Sequence, residues 1–137
     1  TLDLIMQKIP LEDFINIYSF EFSLVLLIPF FIASILKTVQ GSSTVAIITT
    51  STIMYPLLAS LGLDNEIDKI WTVLSIGVGS MTVSHTNDSY FWIVSEMTGI
   101  SAKNALKYHT TGTLIQGIAG FVFILIGYKL TSLANFI

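Results

Sequence analysis

The sequence predicts an all-α, polytopic membrane protein, and three observations support this fold class. Of the 137 residues, 53% are hydrophobic and only 11% are charged, with a mean hydropathy of +0.78. The stretch 38–63 contains no acidic or basic side chain, and the stretches 70–87 and 108–128 contain one histidine each. Each stretch is about long enough to cross a bilayer core of ~30 Å as a helix that rises ~1.5 Å per residue.

Composition also excludes several kinds of function. The six basic residues are all lysines scattered along a chain of net charge −3, so they form no basic stripe for nucleic acid. The absence of cysteine excludes disulfides and thiolate metal sites. Two histidines 24 residues apart, without acidic partners at ligand spacing, argue against a zinc site. We therefore expect no metal and no cofactor.

Residues 1–19 predict an amphipathic lead-in at a membrane interface, because apolar side chains alternate with acids and a lysine around Pro10. The chain opens on Thr1, and no basic segment followed by a short apolar core precedes it, so no targeting peptide is visible. We interpret the sequence as a piece of a longer polypeptide.

A first apolar helix is predicted for 20–39 and a second apolar arm for 45–61, with the polar letters QGSST (40–44) between them. Gly41 permits an unwound turn, and the N–H groups of a helix that starts near Thr44 favour a carboxylate or a phosphate. Lys37 shares a helical face with Gln40, and a lysine in lipid is costly but useful beside an anion. Alternatively, Lys37 reaches a membrane interface and QGSST is a solvated turn.

The polar link DNEIDK (64–69) precedes a third segment, 70–98, which is interrupted by SHTNDS (84–89). His85 and Asp88 lie three residues apart, and a buried aspartate without a cation can take up and release a proton. In the alternative interpretation, Asn87 and Asp88 cap the helix that begins near Tyr90. Ser84, His85 and Asp88 are the residue types of a hydrolase triad, but they lie within five residues, which argues against one.

The last segment, 101–130, predicts a helix that begins amphipathic and becomes fully apolar from 114 to 126. Ser101 is a suitable N-cap after Gly99. Four glycines give this helix a side of small residues for close packing: Gly112, Gly117, Gly120 and Gly127.

Three motifs resemble the gluconate permease (gluconate:H⁺ symporter) family of bacterial inner-membrane transporters. They are QGSSTVA (40–46) with Lys37 before it, GSMTVSHTNDSYFW (79–92), and Leu106 with Lys107 before the final helix. Family members typically read close to QGSATVA and SHVNDSGFW, and the resemblance covers 20–127. It implies that 1–137 is the C-terminal part of a membrane transporter, an ion-transporter-superfamily-like half. In that half, 20–61 would be a re-entrant helical hairpin, 70–98 a broken transmembrane helix, and 101–130 the final transmembrane helix.

The resemblance further implies a secondary active transporter, not an enzyme, that takes up a small hydroxylated carboxylate with a proton by alternating access. A gluconate-like sugar acid or glycerate would be the substrate. Ser43, Thr86 and Tyr90 replace the family's usual alanine, valine and glycine, while His109 and Thr113 stand where Trp and Glu are common. These departures predict a bulkier and more polar pocket, and they put gluconate itself in question.

On this basis we predict a substrate site and a proton-coupling site. The expected substrate-binding residues are Lys37, Gln40, Gly41, Ser42, Ser43, Thr44, Ser84, Thr86 and Asn87. For proton coupling we expect Asp88 first and His85 second. Expected partners are a small organic anion, a coupling proton or sodium ion, the lipid bilayer, the rest of the same polypeptide and further copies in a homo-oligomer. Open alternatives are a sodium-coupled carboxylate transporter, a membrane-embedded hydrolase and a structural membrane subunit.

Overall fold

The computed structural model describes residues 24–134, and all regular secondary structure in that range is helical. This confirms the predicted all-α class for these residues, whereas the lead-in predicted for 1–19 lies outside the described range. The helices are α1 (Leu27–Gln40), α2 (Ser43–Met54), α3 (Glu66–Gly79), α4 (Ser89–Thr98) and α5 (Ala102–Ala134), with a 3-10 turn at Tyr55–Leu57 after α2.

Helix α5 has 33 residues and is, within the described range, the one helix long and apolar enough to cross a membrane. At ~1.5 Å per residue it is ~50 Å long. Helix α1 is also apolar but shorter. Much of the α5 surface is apolar, with exposed side chains at Leu114, Ile115, Ile118, Val122, Phe123 and Ile126. A continuous exposed apolar surface of this kind is typical of a segment that faces lipid.

The predicted interruption at QGSST is a break of two residues between α1 and α2. Gly41 adopts the left-handed conformation, with φ 68°, and its N–H donates to the Lys37 carbonyl at 2.8 Å. Ser42 is extended and caps α2 by accepting a hydrogen bond from the Val45 N–H at 3.3 Å. The two helices pack against each other after this turn, and α2 ends before Pro56, which lacks the N–H that a continuing helix needs.

The second interruption is longer, because residues 80–88 between α3 and α4 are not helical. Asp88 caps α4 by accepting a hydrogen bond from the Tyr90 N–H at 3.0 Å, as the capping interpretation predicts. Within the break, Val83 has φ 51°, a left-handed conformation that is rare for a β-branched residue. The break is therefore a specific, locally strained conformation.

Helix α3 packs between α1 and α5 and reaches both closely. A Cβ on Gly79 would lie 2.4 Å from the Phe30 carbonyl oxygen, so that only glycine permits this approach of α3 to α1. On α5, Gly120 and Gly127 face Val78 and Trp71 of α3, and Gly117 faces Thr82 of the second break. The predicted small-residue side of α5 is thus confirmed for these three glycines, whereas nothing lies within 4 Å of a Cβ on Gly112.

The apolar core joins these helices away from the two breaks. Its buried members are Leu26, Phe30, Leu63, Phe121, Ile124 and Tyr128. At the far end of α5, the Tyr128 hydroxyl donates to the buried Asp68 carboxylate at 2.9 Å. This end of the bundle is therefore fixed by packing and by buried hydrogen bonds, among them that of Ser75 to the Leu26 carbonyl, and the breaks lie at the other end of α1 and α3.

Candidate functional site

The two helix breaks contact each other. A Cβ on Gly41 would lie 2.0 Å from the Asn87 carbonyl oxygen, so the chain of one break lies directly against the chain of the other. The Asn87 side chain donates to the Val39 carbonyl at 2.6 Å, and His85 Nε2 lies 3.0 Å from the Thr38 carbonyl oxygen. The last carbonyls of a helix have no partner within it, so the second break caps the end of α1.

A buried ion pair joins α1 to the second break. Lys37 Nζ lies 2.6 Å from Asp88 Oδ2, and the two side chains are only 3% and 7% exposed. Fifty-one positions separate them in the sequence. Removal of two charges from water is expensive, and their attraction offsets that expense only with good geometry and further hydrogen bonds.

Asp88 receives those further hydrogen bonds. The Ser84 hydroxyl lies 2.5 Å from Oδ2, and the Tyr90 N–H donates to Oδ1 at 3.0 Å. With Lys37, this gives the carboxylate three donors from α1, the break and α4. The sequence predicts that the ionisation of a buried Asp88 depends on whether a cation lies nearby, and Lys37 is that cation.

Ser84 connects the break to α5 through all of its polar groups. Its N–H donates to Thr113 Oγ1 at 3.0 Å, and its carbonyl accepts from the Thr110 hydroxyl at 2.6 Å. Its hydroxyl oxygen also lies 3.2 Å from His109 Nε2. Residues 109, 110 and 113 lie within one turn of α5 and face the break together.

A cleft of about 600 Å³ opens between the two breaks and α5. This volume lies within the ~300–1,000 Å³ typical of small-molecule sites. Its lining residues are Lys37, Gly41, Ser42, Ser43, Thr44, Met81, Ser84, Asp88, Ser89, Tyr90, Thr113 and Gln116. Lys37 and Asp88 are the charged members of this lining.

The cleft contains much of the predicted site. Of the predicted residues, Lys37, the 41–44 tip, Ser84 and Asp88 line it. Four others do not: Gln40 is exposed, His85 and Asn87 contact the end of α1, and the Thr86 carbonyl accepts from the Trp92 ring N–H at 2.8 Å.

Five lining residues were not among the predicted site residues: Met81, Ser89, Tyr90, Thr113 and Gln116. The signal for two of them is visible in retrospect. Thr113 and Gln116 are polar side chains three residues apart in the first half of the longest apolar helix, so they share a helical face. Polar side chains on one face of such a helix indicate a surface that does not face lipid.

The chemistry of the cleft suits an anion, and its serine and carboxylate are not arranged as in a serine hydrolase. In a serine hydrolase triad the carboxylate orients the histidine, whereas here Asp88 contacts the Ser84 hydroxyl itself. Among residues 24–134, no three His, Cys, Asp or Glu side chains come together as metal ligands. The cleft instead combines a lysine, the start of α2 and several hydroxyl groups.

Comparison with known proteins gives one consistent family. The model of the family described as "GntP family permease" matches residues 12–130. The chain is 41% identical over 93 residues to the inner membrane permease YgbN of Escherichia coli K12, covering 68% of this chain and 20% of that protein. No solved structure matches.

Two further relatives have names that state a substrate. The gluconate permease of Pseudomonas aeruginosa is 33% identical over 102 residues, covering 74% of this chain and 22% of that protein. The high-affinity gluconate transporter of Escherichia coli K12 is 34% identical over 97 residues, covering 71% and 21%. The chain therefore spans about a fifth of the length of the curated relatives that it matches.

Proposed function

The chain belongs to the GntP family of permeases, and we propose that it acts in a secondary active transporter for a small hydroxylated carboxylate, with a proton as the coupling ion. A gluconate-like sugar acid or glycerate is the substrate class, in keeping with the gluconate transporters among its relatives. The bacterial inner membrane is its site of action, since one relative is named an inner membrane permease and α5 has the length and composition of a spanning helix.

One observation carries this proposal: the buried ion pair of Lys37 and Asp88 at the cleft between two helix breaks. Ionisable side chains at membrane depth are expensive, and they usually belong to substrate or ion pathways. In this proposal, Lys37 is the cation for the substrate carboxylate and Asp88 is the group that carries the proton, and the two are in direct contact. Substrate and proton thus act on the same pair.

The proposed architecture follows from where the breaks lie. Non-helical backbone at membrane depth is tolerated only where protein buries it or where it lines a cavity. Residues from both breaks line the cleft. In this proposal, residues 20–61 form the re-entrant hairpin, 70–98 the broken helix and 101–130 the final transmembrane helix, with the cleft near the bilayer midplane.

The coupling mechanism is an exchange of partners at Lys37. When Asp88 is ionised, it holds the ammonium group of Lys37. When Asp88 takes up a proton it becomes neutral, and Lys37 is free to pair with the substrate carboxylate. The N–H groups at the start of α2 and the hydroxyls of Ser42, Ser43 and Thr44 complete the carboxylate site. Proton uptake therefore favours substrate binding, and substrate binding favours proton uptake by the same factor.

The remaining polar side chains of the cleft recognise the substrate hydroxyls. Ser84 already makes four hydrogen bonds to the protein, whereas Ser89 on α4 and Thr113 and Gln116 on α5 add further polar groups to the lining. We assign the hydroxyl contacts to these three together with Ser84, and not to the predicted Thr86 and Asn87, which do not line the cleft. The Tyr90 side chain also lines the cleft.

The test is transport by the complete protein in proteoliposomes. A panel of labelled sugar acids and hydroxy acids is offered with an imposed inward proton gradient and no sodium. We expect one anion to accumulate and a protonophore to abolish its accumulation. Uptake that requires sodium would replace the proton by Na⁺ as the coupling ion, and no uptake of any anion under either gradient would refute the proposed function.

A matched pair of variants links this activity to the cleft. Lys37→Met removes the proposed carboxylate cation, and we expect it to abolish uptake. Lys69→Met removes a lysine of a surface pair, whose Nζ lies 3.0 Å from the Glu66 carboxylate, and we expect uptake to be unchanged. Equal uptake by the two variants would contradict the assignment of Lys37.

A further inference from the structure

A chain of hydrogen bonds extends from α5 to the ion pair. His109 Nε2 lies 3.2 Å from Ser84 Oγ, Ser84 Oγ lies 2.5 Å from Asp88 Oδ2, and Lys37 Nζ lies 2.6 Å from the same carboxylate oxygen. Three segments of the fold contribute to it: α5, the second break and α1. These hydrogen bonds connect His109 to Asp88, the carboxylate that carries the proton in the proposed function.

The direction of these hydrogen bonds follows from the donors available. An ionised carboxylate can only accept, so the single Ser84 hydroxyl proton points to Asp88. The Ser84 oxygen then accepts from His109, which assigns the proton of that ring to Nε2. The network is thus already oriented so that a proton can move from the histidine towards the aspartate.

We propose that His109 is the proton entry residue of the transporter and passes protons to Asp88 through the Ser84 hydroxyl; this rests on the proposed function. Nδ1 of His109 binds a proton from water. The Nε2 proton moves to Ser84 Oγ, and the Ser84 hydroxyl proton moves to Asp88 Oδ2. Ser84 remains a neutral hydroxyl and His109 a neutral ring with its proton on Nδ1, so one proton has been transferred from water to Asp88.

The other histidine of the chain is engaged differently. His85 Nε2 contacts the Thr38 carbonyl oxygen at 3.0 Å, and Nδ1 accepts from the Asn87 N–H at 3.3 Å. Both ring nitrogens therefore bind backbone groups. This leaves His85 a role in holding the break against the end of α1, and it assigns the relay to His109.

The ring of His109 lies beside two aromatic rings of α4. Its ring is partly buried, and the ring centres of Tyr90 and Phe91 of α4 lie 5.6 and 6.0 Å away. In the described residues, the titratable side chains in contact with this network are Lys37, on Asp88, and Tyr90, beside the histidine ring.

His109→Gln is the test variant, because glutamine keeps an N–H donor for Ser84 but does not exchange protons. We expect uptake driven by the proton gradient to fall by ~10²-fold, the lower end of the ~10²–10⁴-fold that a positioned proton-transfer group contributes. Counterflow exchange of labelled for unlabelled substrate needs no net proton transfer, and we expect it to be retained. Small imidazole added to His109→Ala should restore gradient-driven uptake.

The controls separate the relay from the proposed function. Tyr108→Phe alters an exposed neighbour on α5 and should behave like the unchanged protein. Ser84→Ala, which removes the middle hydroxyl of the relay, should show the same loss of uptake as His109→Gln. Full gradient-driven uptake by His109→Gln would refute the relay and leave the proposed function intact. If His109→Gln lost uptake and counterflow equally, and imidazole did not rescue His109→Ala, then His109 would have a structural role and the relay would be refuted. No proton-driven uptake by the unchanged protein would overturn the proposed function and the relay together.

Discussion

Removal of one partner of the Lys37–Asp88 pair should destabilise the protein far more than removal of both. The two atoms in contact are 2.6 Å apart, and the side chains are almost fully buried. Lys37→Met leaves the Asp88 carboxylate with only the Ser84 hydroxyl and the Tyr90 N–H. Asp88→Leu leaves a buried ammonium group with no anion. We expect each single change to lower the free energy of unfolding by roughly 3–5 kcal/mol, the usual cost of an uncompensated buried charge.

The double variant Lys37→Met/Asp88→Leu removes both charges and fills their space with apolar groups. Replacement of a buried ion pair by apolar groups is often neutral or stabilising. Because Asp88→Leu also removes the cap of α4, which is worth ~1 kcal/mol, we expect the double variant to be about 1 kcal/mol less stable than the original, a smaller loss than that of either single variant. The measurement is a double-mutant cycle of unfolding in detergent micelles, followed by circular dichroism. The exposed pair Glu66–Lys69 is the control, and its cycle should yield a coupling of less than about 1 kcal/mol because solvent screens it.

The double-mutant cycle can refute the expected strong coupling between Lys37 and Asp88. If the double variant loses the sum of the two single losses, the side chains act independently, and the ion pair does not determine stability here. A coupling at Lys37 and Asp88 as small as that at the surface pair would have the same meaning. Either result would also remove the basis for partner exchange in transport, because that mechanism requires the two groups to interact strongly.

Three further predictions follow from the same geometry. Asp88→Asn should abolish proton-driven accumulation while counterflow exchange is partly retained, and full accumulation in proteoliposomes would contradict the assigned role. Gly41→Ala should lower the unfolding temperature, because φ is 68° and the added Cβ would meet the Asn87 carbonyl oxygen. Gly112→Ala is the control, because its Cβ has open space and should stabilise the helix by up to ~1 kcal/mol. Equal effects of the two changes on the unfolding temperature would argue against contact between the breaks. Tyr90→Ala should widen the cleft and shift substrate competition towards larger sugar acids, and an unchanged order of competitors would place Tyr90 outside the substrate path.

The sequence predicted the local parts of this site well. A glycine within a polar cluster, set in a long apolar run, is a local signal for interrupted helix, and both interruptions occur where the letters QGSST and SHTNDS place them. Gly41 has the unwound conformation expected of it, and Asp88 caps α4. These features depend on neighbouring residues only, which is why a single sequence can reveal them.

The parts that sequence reasoning missed depend on contacts between distant segments. The cation for Asp88 lies 51 positions away. Nearness of His85 to Asp88 in the sequence favoured His85 as the second proton residue. Both residues lie on a non-helical segment, where a spacing of three does not bring two side chains together. The His85 ring instead contacts the end of α1. His109, 25 positions from Ser84, reaches the network instead because α5 packs alongside the break.

Partner exchange at Lys37 makes a prediction about charge that distinguishes it from other coupling schemes. Lys37 and Asp88 are the charged residues of the cleft lining, and together they have no net charge. With one proton on Asp88 and one monovalent carboxylate on Lys37, the loaded site is again neutral, so the translocated site carries no net charge in either state. A proton gradient should therefore drive uptake, whereas a membrane potential of 100 mV, worth ~2.3 kcal/mol per elementary charge, should not. A potassium diffusion potential imposed with valinomycin at equal pH tests this directly. Uptake driven by that potential alone would require a second coupling ion, and the single Lys37–Asp88 pair would then be insufficient to explain coupling.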